Sequence, residues 1–452
     1  MSEKIEITAK FIEKVSEQIH KKDTVKLEVL INDLHIADVA EILQEIPISD
    51  AQLLYQFISE KKSAEILLEL DDDLREDLLS DLSAKEIAED VIENLETDDA
   101  ADVIGEFSEE RQEEVLAYIE DQEHASDISD LLSYKDDTAG GLMAKELIKV
   151  NQSWNTIRCL KEMRKQAEYV KKVHTIYVVD DNEVLLGTMS LRRLLLTQTN
   201  ISIKEILRNE IISVKASEDD ETVANIMNKY DLVVLPVINE KGQLVGRITI
   251  DDVIDLIKEE AEKDYQIASG ITESVESRDT VFTLIKARIP WLLIGLVGGI
   301  IGAKIVGFFL KNEEDLELAF IPLIAAMAGN IGIQSAAIVV QELASNKNME
   351  NWSKKFFKEL SIASINGIIC GILIFFFCSF FYESTDFYFP LRMSISLVTV
   401  MIYAALFGTF IPLFFHRLNI NPALATGPFI TTMNDVVGLF IYFLICNYLF
   451  IP

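Results

Sequence analysis

Five long apolar stretches in the second half of the sequence most constrain the fold. Each reaches about 20 residues, the length at which a helix crosses the hydrocarbon core of a bilayer. They span residues 289–310, 318–340, 360–381, 393–415 and 429–450. The sequence therefore predicts an α-helical membrane domain with five transmembrane helices over residues 289–452.

Charged residues between these stretches predict the orientation of the membrane domain, because basic residues favour cytoplasmic loops. They follow the second and fourth stretches, at Lys354, Lys355, Lys358, His416 and Arg417. Acidic residues occupy the opposite loops, at Glu313, Glu314, Asp315, Glu383 and Asp386. The start of the chain lacks the pattern of a signal peptide. We therefore expect a multi-pass protein of the cell (inner) membrane, with a cytoplasmic N-terminus and a C-terminus outside.

Asp435 is an acidic residue inside the fifth apolar stretch. An ionised side chain in the middle of a membrane helix costs about 2.5–3.5 kcal/mol even on insertion scales, so it faces a partner or a watery path. Asp435 therefore indicates a cation. The alternative is a carboxylate that is capped by Thr431, Thr432 or Asn434 in its own helix, or that lies close enough to the membrane surface to be hydrated.

Composition changes where the membrane domain begins. Residues 286–452 hold ten acidic and ten basic residues, so the net charge of −33 resides in residues 1–285. A polyanion of this kind excludes nucleic acid as a partner and favours divalent cations or basic protein surfaces. A solvated acidic surface is the alternative. The four cysteines have no CxxC spacing, so neither a zinc site nor a disulfide framework is expected.

A loose repeat marks residues 1–138. Similar short motifs begin at Ala40, Ala64, Ala88 and Ala101, and the first two intervals are 24 residues. Repeats of this size predict an all-α superhelical solenoid, in which each helix buries its apolar face on its neighbours. A disordered acidic arm is the alternative. Because no catalytic triad, P-loop or glycine-rich phosphate motif occurs here, we expect no enzyme.

A second repeat is sharper. The segment 178–187 aligns without gaps with the segment 237–246, and each reads as strand, polar turn and strand before a helix opened by Ser190 or Thr249. This pattern resembles a tandem pair of CBS domains, which we place at residues 139–264. Such α/β pairs regulate enzymes, channels and transporters, so the resemblance predicts the fold and leaves the function open.

The CBS resemblance also implies adenosine nucleotide as a ligand, held by an acid three residues after the Ser or Thr. Thr249 is followed by Asp252 in that place, but Ser190 is followed by Arg193. One of the two half-sites therefore lacks its carboxylate. We predict that ATP binds weakly or not at all.

The helix after the second CBS domain is strongly acidic. Asp251, Asp255 and Glu259 share one face at i, i+4 spacing, where like charges destabilise a helix by roughly 0.2–0.5 kcal/mol per pair. A counter-cation would stabilise this arrangement. Asp98 and Asp102 repeat the spacing in the solenoid. The alternative for each acid is a solvated face.

Two membrane motifs complete the pattern. The second stretch contains PLIAAMAGNIGIQS at 322–335, and NPALATGPFITTMND at 421–435 leads into the fifth. Both resemble the MgtE family of magnesium channels, and so does the order of acidic helical domain, CBS pair, linking helix and five spans. The resemblance implies a homodimer with a pore between the second and fifth spans, and a connecting plug helix at 265–288. Two departures are Ile333, where the family often has a second Asn, and Lys304 within the first span.

The resemblance implies Mg²⁺ as the bound ion, and the residue types suit it, because Mg²⁺ takes oxygen ligands and dehydrates reluctantly. The predicted pore residues are Asp435, Asn330, Gln334, Gly329, Gly332, Thr432 and Asn434. The predicted regulatory Mg²⁺ ligands are Asp98, Asp102, Asp219, Glu221, Asp231, Asp252, Asp255, Glu260 and Asp264. The sequence thus predicts a channel that imports Mg²⁺ and is closed by intracellular Mg²⁺. A CBS-regulated secondary transporter or exporter of divalent metal such as Co²⁺ or Mn²⁺, or a membrane-anchored sensor that moves no ion, is the alternative.

Overall fold

The structure is a computed structural model that describes residues 7–21, 27, 30–31, 34–167, 170, 172–272, 275, 279–309, 316–344, 352–382 and 387–449. It contains two compact units, Met1–Leu256 and Ile257–Pro452. The loop acids Glu313, Glu314, Asp315, Glu383 and Asp386 lie outside the described residues, as do the predicted span ends at 310 and 450.

The first part of unit Met1–Leu256 is a stack of short helices. These are α1 (Ala9–Lys21), α2 (Ile36–Glu45), α3 (Ile48–Tyr55), α4 (Glu60–Leu68), α5 (Asp72–Ser80), α6 (Ala84–Glu86), α7 (Thr97–Gly105), α8 (Glu109–Tyr118) and α9 (Gln122–Leu131). A π-helical turn, Ile87–Val91, and a 3₁₀ turn, Ile92–Asn94, follow α6. Helix α4 packs on both α2 and the π-helical turn. The predicted all-α solenoid is therefore confirmed.

The repeated alanines explain this stacking. Ala40, Ala64, Ala88 and Ala101 are all buried, because a small side chain lets successive helices approach closely. Between them, Ser83 and Glu86 form a capping box that begins α6. The 24-residue interval is thus the length of one helical hairpin of the stack.

The two CBS domains have matching three-stranded sheets. The elements of the first are β1 (Ile148–Asn151), α10 (Thr156–Gln166), β2 (Ile176–Val179), β3 (Leu185–Met189) and α11 (Leu191–Leu196). After α12 (Ile203–Ile206), those of the second are β4 (Val214–Lys215), α13 (Asp220–Lys229), β5 (Val234–Ile238), β6 (Leu244–Thr249) and α14 (Ile250–Ala268). In each sheet the first pair of strands is parallel and the second antiparallel. A bridge between Val184 and Gln243, 59 residues apart, joins the sheets at equivalent positions.

The segment 265–288, which the sequence predicts to be one connecting helix, is not continuous. Helix α14 ends at Ala268, and the next helix begins at Val281. Gly270 has φ +86°, and the N–H groups of Gly270 and Ile271 donate to the carbonyls of Ile267 and Gln266. This is a Schellman motif, which satisfies the last carbonyls of a helix and stops it. The prediction was wrong because sequence periodicity does not reveal a left-handed glycine.

The membrane unit contains the five apolar helices that the sequence predicts. They are α15 (Val281–Phe309), α16 (Ile321–Ala344), α17 (Trp352–Phe381), α18 (Phe389–Arg417) and α19 (Gly427–Tyr448), with 3₁₀ turns at Leu316–Phe320 and Pro422–Ala425. Each is long and apolar enough to cross a bilayer, with a mean hydropathy of 1.8 to 2.3. Helix α18 lies at the centre, where it packs on α16, α17 and α19, and α15 packs on α19.

Candidate functional site

Asp435 lines a cavity of about 650 Å³ between α15 and α19. Thr431 and Thr432 line it from α19, Arg288 and Trp291 from α15, and the turn 269–271 borders it. The described lining residues supply the Asp435 carboxylate, hydroxyl groups and backbone, and one cationic side chain, Arg288. The carboxylate and hydroxyl oxygens are groups that a hydrated cation can use when it exchanges few of its waters for protein ligands.

A close helix crossing forms one wall of this cavity. A Cβ built on Gly298 of α15 would lie 2.1 Å from Thr432 Cγ2 of α19. The lack of a side chain at Gly298 therefore lets α15 approach α19 this closely beside Asp435 with Thr432 in its present rotamer. Its neighbour Gly299 lines the same cavity but has open space where a Cβ would be.

Asn434 does not line the cavity, although the sequence assigns it to the pore. Its side chain is fully buried, and Nδ2 donates a hydrogen bond of 3.1 Å to the carbonyl oxygen of Ala328 in α16. Asn434 therefore ties α19 to α16. The sequence motif could not distinguish these roles, because neighbouring residues on a helix point in different directions.

Gly332 and Gly329 also face other helices. A Cβ on Gly332 would lie 2.1 Å from Asn434 Nδ2, and a Cβ on Gly408 would lie 2.3 Å from the carbonyl oxygen of Gly332. Three helices thus meet at Gly332. A Cβ on Gly329 would make an ordinary contact of 3.5 Å with Thr431. The structure places both glycines in helix packing.

Asn330 and Gln334 lie on an exposed face of α16, one helical turn apart. They are not among the residues that line the cavity at Asp435. Within this single chain, the structure therefore brings together Asp435 and Thr432 but not the two amides.

A hydrogen bond joins the acidic helix to the start of α19. Asn421 Nδ2 donates to Asp264 Oδ1 at 3.0 Å, and Asn421 Oδ1 accepts from the N–H of Ala423 in the turn that leads into α19. A Cβ on Gly427, which has φ +44°, would lie 2.1 Å from the carbonyl oxygen of Ala268. The end of α14 is thus held against the beginning of the helix that carries Asp435. In the sequence, Asn421 is part of the motif at 421–435, and no local pattern predicts its bond to Asp264.

In unit Met1–Leu256, the carboxylates of Asp98, Asp102 and Asp252 interact across the interface between solenoid and CBS pair. Burial raises the pKa of Asp98 well above its usual range, and Asp99, Asp252 and Glu146 raise it further. Burial and the charges of Asp99, Asp136 and Asp252 raise the pKa of Asp102 to about 7. The neutral forms are favoured because these like charges lie close together beside the buried Asp98.

Asp252 also has a local role. It accepts hydrogen bonds from the N–H of Thr249, at 3.1 Å, and from the Thr249 hydroxyl. Burial nevertheless raises the pKa of Asp252, while these hydrogen bonds oppose the shift. Thr249 and Asp252, the predicted nucleotide residues, are therefore bonded to each other.

Two further contacts that the sequence did not predict hold this interface together. Glu146 accepts from the N–H and hydroxyl of Thr97, at 2.9 and 2.8 Å. The buried Arg247 forms an ion pair of 3.0 Å with the partly buried Glu96 and donates to the carbonyl oxygen of Glu146. The solenoid and the CBS pair are thus joined by these hydrogen bonds and this ion pair, next to the mutually repelling carboxylates of Asp98, Asp102 and Asp252.

The remaining predicted regulatory acids lie apart from this cluster. Asp219, Glu221 and Asp231 are exposed at the two ends of α13, and Asp231 has φ +52°. Asp255 is exposed on α14, and Glu260 pairs with Lys263. Among the residues that the structure describes, no group of three or more His, Cys, Asp or Glu is arranged to hold a metal ion.

Comparison with known proteins identifies the family. Residues 34–137 match the MgtE intracellular N domain, residues 139–198 and 203–259 match CBS domains, and residues 321–445 match the MgtE divalent cation transporter domain. The chain belongs to the MgtE family. It is 28% identical to the magnesium transporter MgtE of Bacillus subtilis (strain 168), over 92% of this chain and 95% of that protein.

Other MgtE relatives are equally similar. The magnesium transporter MgtE of Thermus thermophilus is 29% identical over 95% of this chain and 96% of that protein. The crystal structure of the cytosolic domain of the Mg²⁺ channel MgtE in complex with ATP covers 54% of this chain and 99% of that chain, with 29% identity and a TM-score of 0.50. Family membership and the five apolar helices make the chain a multi-pass membrane protein of a transporter family.

Proposed function

We propose that this chain imports Mg²⁺ into the cytosol and that intracellular Mg²⁺ closes it. The observation that carries the proposal is Asp435, a carboxylate on a membrane helix that lines a cavity of about 650 Å³. The negative charge offsets part of the cost of removing water from the ion. The named function of the MgtE relatives, magnesium transport, supports this choice of ion.

The proposed conducting form is a homodimer. Asn330 and Gln334 lie on an exposed face of α16, where a second copy could meet them. Two copies of Asp435 would then supply two carboxylates, while amide and backbone oxygens complete the path. The described spans are compatible with cytoplasmic domains at the N-terminus and with the C-terminus outside.

The proposed sensor is the acid cluster of Asp98, Asp102 and Asp252. Their raised pKa values reflect carboxylates that are costly to ionise together. A divalent cation could replace the missing protons and stabilise the closed interface at neutral pH. When the Mg²⁺ concentration falls, mutual repulsion would loosen this interface.

The proposed link to the ion path is the Asp264–Asn421 hydrogen bond, because it joins the acidic helix to the turn that begins α19. A change in the position of α14 would therefore act on the helix that carries Asp435. Asp264 thus connects a sensor segment with the conducting segment.

The experiment that tests ion transport is Mg²⁺ uptake into proteoliposomes by the Asp435→Asn variant. The amide keeps the shape of the side chain but removes its charge, so uptake should fall to near background while the protein remains folded. Glu359→Gln is the matched control. Glu359 is another acid of the membrane helices, but it bonds Ser335 at 2.5 Å and does not line the cavity.

Full uptake by a folded Asp435→Asn protein would contradict the proposed path. Uptake that requires a pH gradient would instead favour a secondary transporter. An equal loss in Glu359→Gln would show that any acid in the membrane helices is needed for folding or insertion.

Regulation is tested by replacing Asp252, Asp255, Glu260 and Asp264 together with Ala. Uptake should remain but lose its dependence on internal Mg²⁺, because the acids that respond to the ion are gone. Protease protection of the cytosolic domains across a Mg²⁺ titration is the second measurement. A variant that keeps the wild-type midpoint in both assays would show that the acidic helix is only a solvated surface.

A further inference from the structure

The cavity that Asp435 lines has a cationic end as well. Its lining follows one face of α15 from Arg288 to Gly299. Arg288 lies ten residues before Gly298, the residue that packs on Thr432, which corresponds to a rise of about 15 Å along the helix. The arginine therefore lines the opposite end of the cavity from Asp435. We name the part lined by Arg288, Trp291 and the turn 269–271 the arginine end.

The arginine end presents hydrogen-bond donors that lack acceptors. Arg288 is exposed, and no described residue forms an ion pair or a hydrogen bond with its guanidinium group. The indole N–H of Trp291 is buried and has no acceptor among the described residues. A buried donor without an acceptor is costly, so such groups usually meet a water, an ion or a ligand. A cation and an unused N–H donor together favour an anion.

The backbone around the arginine end is held in place by close packing. Gly270 has φ +86°, and a Cβ there would lie 2.5 Å from Pro428 Cγ and 3.7 Å from Trp291 Cγ. The turn after α14 thus fits between α15 and α19. Thr272 donates from its N–H and from its hydroxyl to the carbonyl oxygen of Ala287, both at 3.0 Å. Ala287 directly precedes the arginine, so the donors stand on a fixed part of the chain.

The position of Arg288 points to a membrane lipid. It immediately precedes the first apolar stretch, which begins at residue 289, so it lies where the hydrocarbon core ends. Beside it, Leu292 and Leu296 of α15 are 66% and 59% exposed. Basic pockets between membrane helices at this depth bind anionic lipid headgroups. A ligand with a charged head and apolar chains matches both the arginine and the leucines.

The net charge of the chain favours a lipid over a soluble anion. Residues 1–285 carry the whole net charge of −33, so they repel phosphate ions that approach from solution. A lipid reaches the arginine end laterally, within the bilayer. A zwitterionic phosphatidylcholine would bring its own ammonium group close to Arg288, and a lipid with a net negative headgroup avoids this repulsion.

We propose that the arginine end of the cavity binds an anionic phospholipid. Arg288 contacts the phosphate oxygens through its planar fork of N–H donors, and the indole N–H of Trp291 donates to the same headgroup. The acyl chains lie along Leu292 and Leu296 and extend into the bilayer. The proposal does not depend on ion transport through the membrane unit.

Quenching of Trp291 fluorescence tests this proposal on the full-length protein in phosphatidylcholine vesicles. The chain has three tryptophans, so Trp154→Phe and Trp352→Phe leave Trp291 as the reporter. Lipids with brominated acyl chains quench a tryptophan on contact. The binding constant of brominated phosphatidylglycerol should exceed that of brominated phosphatidylcholine by about tenfold, as expected for one charge-assisted hydrogen bond.

Variants of the arginine show whether its charge selects the lipid. Arg288→Gln should lower the ratio of the two binding constants to about one, because the amide carries no charge. Lys286→Gln is the matched control, because it removes the same charge two residues earlier on α15, outside the cavity lining, and should keep the ratio. Arg288→Lys keeps the charge without the planar fork and should give an intermediate ratio. It provides the second test if Arg288→Gln does not fold.

Three results would overturn the proposal. The first is the lack of a preference for phosphatidylglycerol in the parent protein, including quenching by neither lipid, which is expected if a second copy of the chain covers this face of α15. The second is an equal loss of preference in Lys286→Gln, which would indicate a diffuse charge effect. The third is displacement of brominated phosphatidylglycerol by inorganic phosphate added to the solution, which would make the ligand a soluble anion.

Discussion

Gly298 sets how closely α15 approaches α19 beside Asp435, and replacing it with Ala should separate the two helices. The new methyl group would lie 2.1 Å from Thr432 Cγ2 and 3.5 Å from Thr432 Cβ. Carbon atoms in contact prefer about 3.5–4.0 Å. Relief therefore requires either a rotation of Thr432 or a helix displacement of more than an ångström.

Rotation of Thr432 is limited, because its β-branched side chain has only two favourable χ1 rotamers in a helix. Overpacking of this kind costs about 1–3 kcal/mol. The substitution also removes a glycine from a helix, which by itself favours the helix by about 1 kcal/mol or less. We expect Gly298→Ala to destabilise the membrane unit by about 1–2 kcal/mol and to reduce Mg²⁺ uptake, because Thr432 borders the cavity of Asp435.

Gly299→Ala separates the effect of overpacking from the effect of removing a glycine from the helix. It lies on the same helix and has nothing within 4 Å of its built Cβ, so it should keep or slightly raise the stability. Thermal unfolding of the detergent-solubilised protein and uptake into proteoliposomes are the measurements. Equal unfolding midpoints for the two variants would refute the close crossing of α15 and α19.

Two further outcomes are expected in unit Met1–Leu256. Arg247→Ala should lower the free energy of unfolding by about 1–3 kcal/mol, because it leaves the partly buried Glu96 carboxylate and the Glu146 carbonyl oxygen without their Arg247 partner. Chemical denaturation should show a smaller loss when Glu96→Ala is added, and an additive loss would contradict the pairing. In Mg²⁺-free buffer, the stability contributed by Asp102 should be fully present below about pH 4 and lost as the pH rises through about 7. The reason is that Asp102 keeps its proton in the folded unit over this range but releases it in the unfolded chain. The thermal unfolding midpoint of Asp102→Asn should therefore fall less over this range, and a fall as steep as in the wild-type protein would contradict the raised pKa.

The sequence predicts most of the architecture because the relevant signals are long or repeated. Five apolar stretches, a 24-residue interval and a 59-residue repeat each average over many side chains, so single exceptions do not obscure them. The structure confirms the solenoid, the CBS pair and the five membrane helices. The end of α14 was missed because it depends on one backbone conformation at Gly270.

Individual site residues were harder to predict. The sequence singles out Asp435 because a carboxylate in an apolar stretch is conspicuous, and the structure places it in the lining of the cavity between α15 and α19, while its role in an ion path stays a prediction. The sequence could not distinguish the position of Asn434 from that of Asp435. Only the packing of α19 on α16 shows that the Asn434 side chain donates to the carbonyl oxygen of Ala328. The pairing of Arg247 with Glu96 joins residues 151 positions apart, and no local pattern reveals it.

The hydrogen bond between Asp264 and Asn421 has a thermodynamic consequence. A cation that binds the Asp264 carboxylate weakens the hydrogen bond between Asp264 and Asn421. Conversely, a strong hydrogen bond from Asn421 makes the carboxylate a poorer ligand for the cation. Such coupling between two sites is reciprocal. The factor by which a bound cation changes the conformational equilibrium at the start of α19 therefore equals the factor by which that conformation changes the cation affinity of Asp264. If Asp264 binds Mg²⁺ as proposed, the conformation at the beginning of α19 therefore helps to set how sensitively this carboxylate responds to the ion.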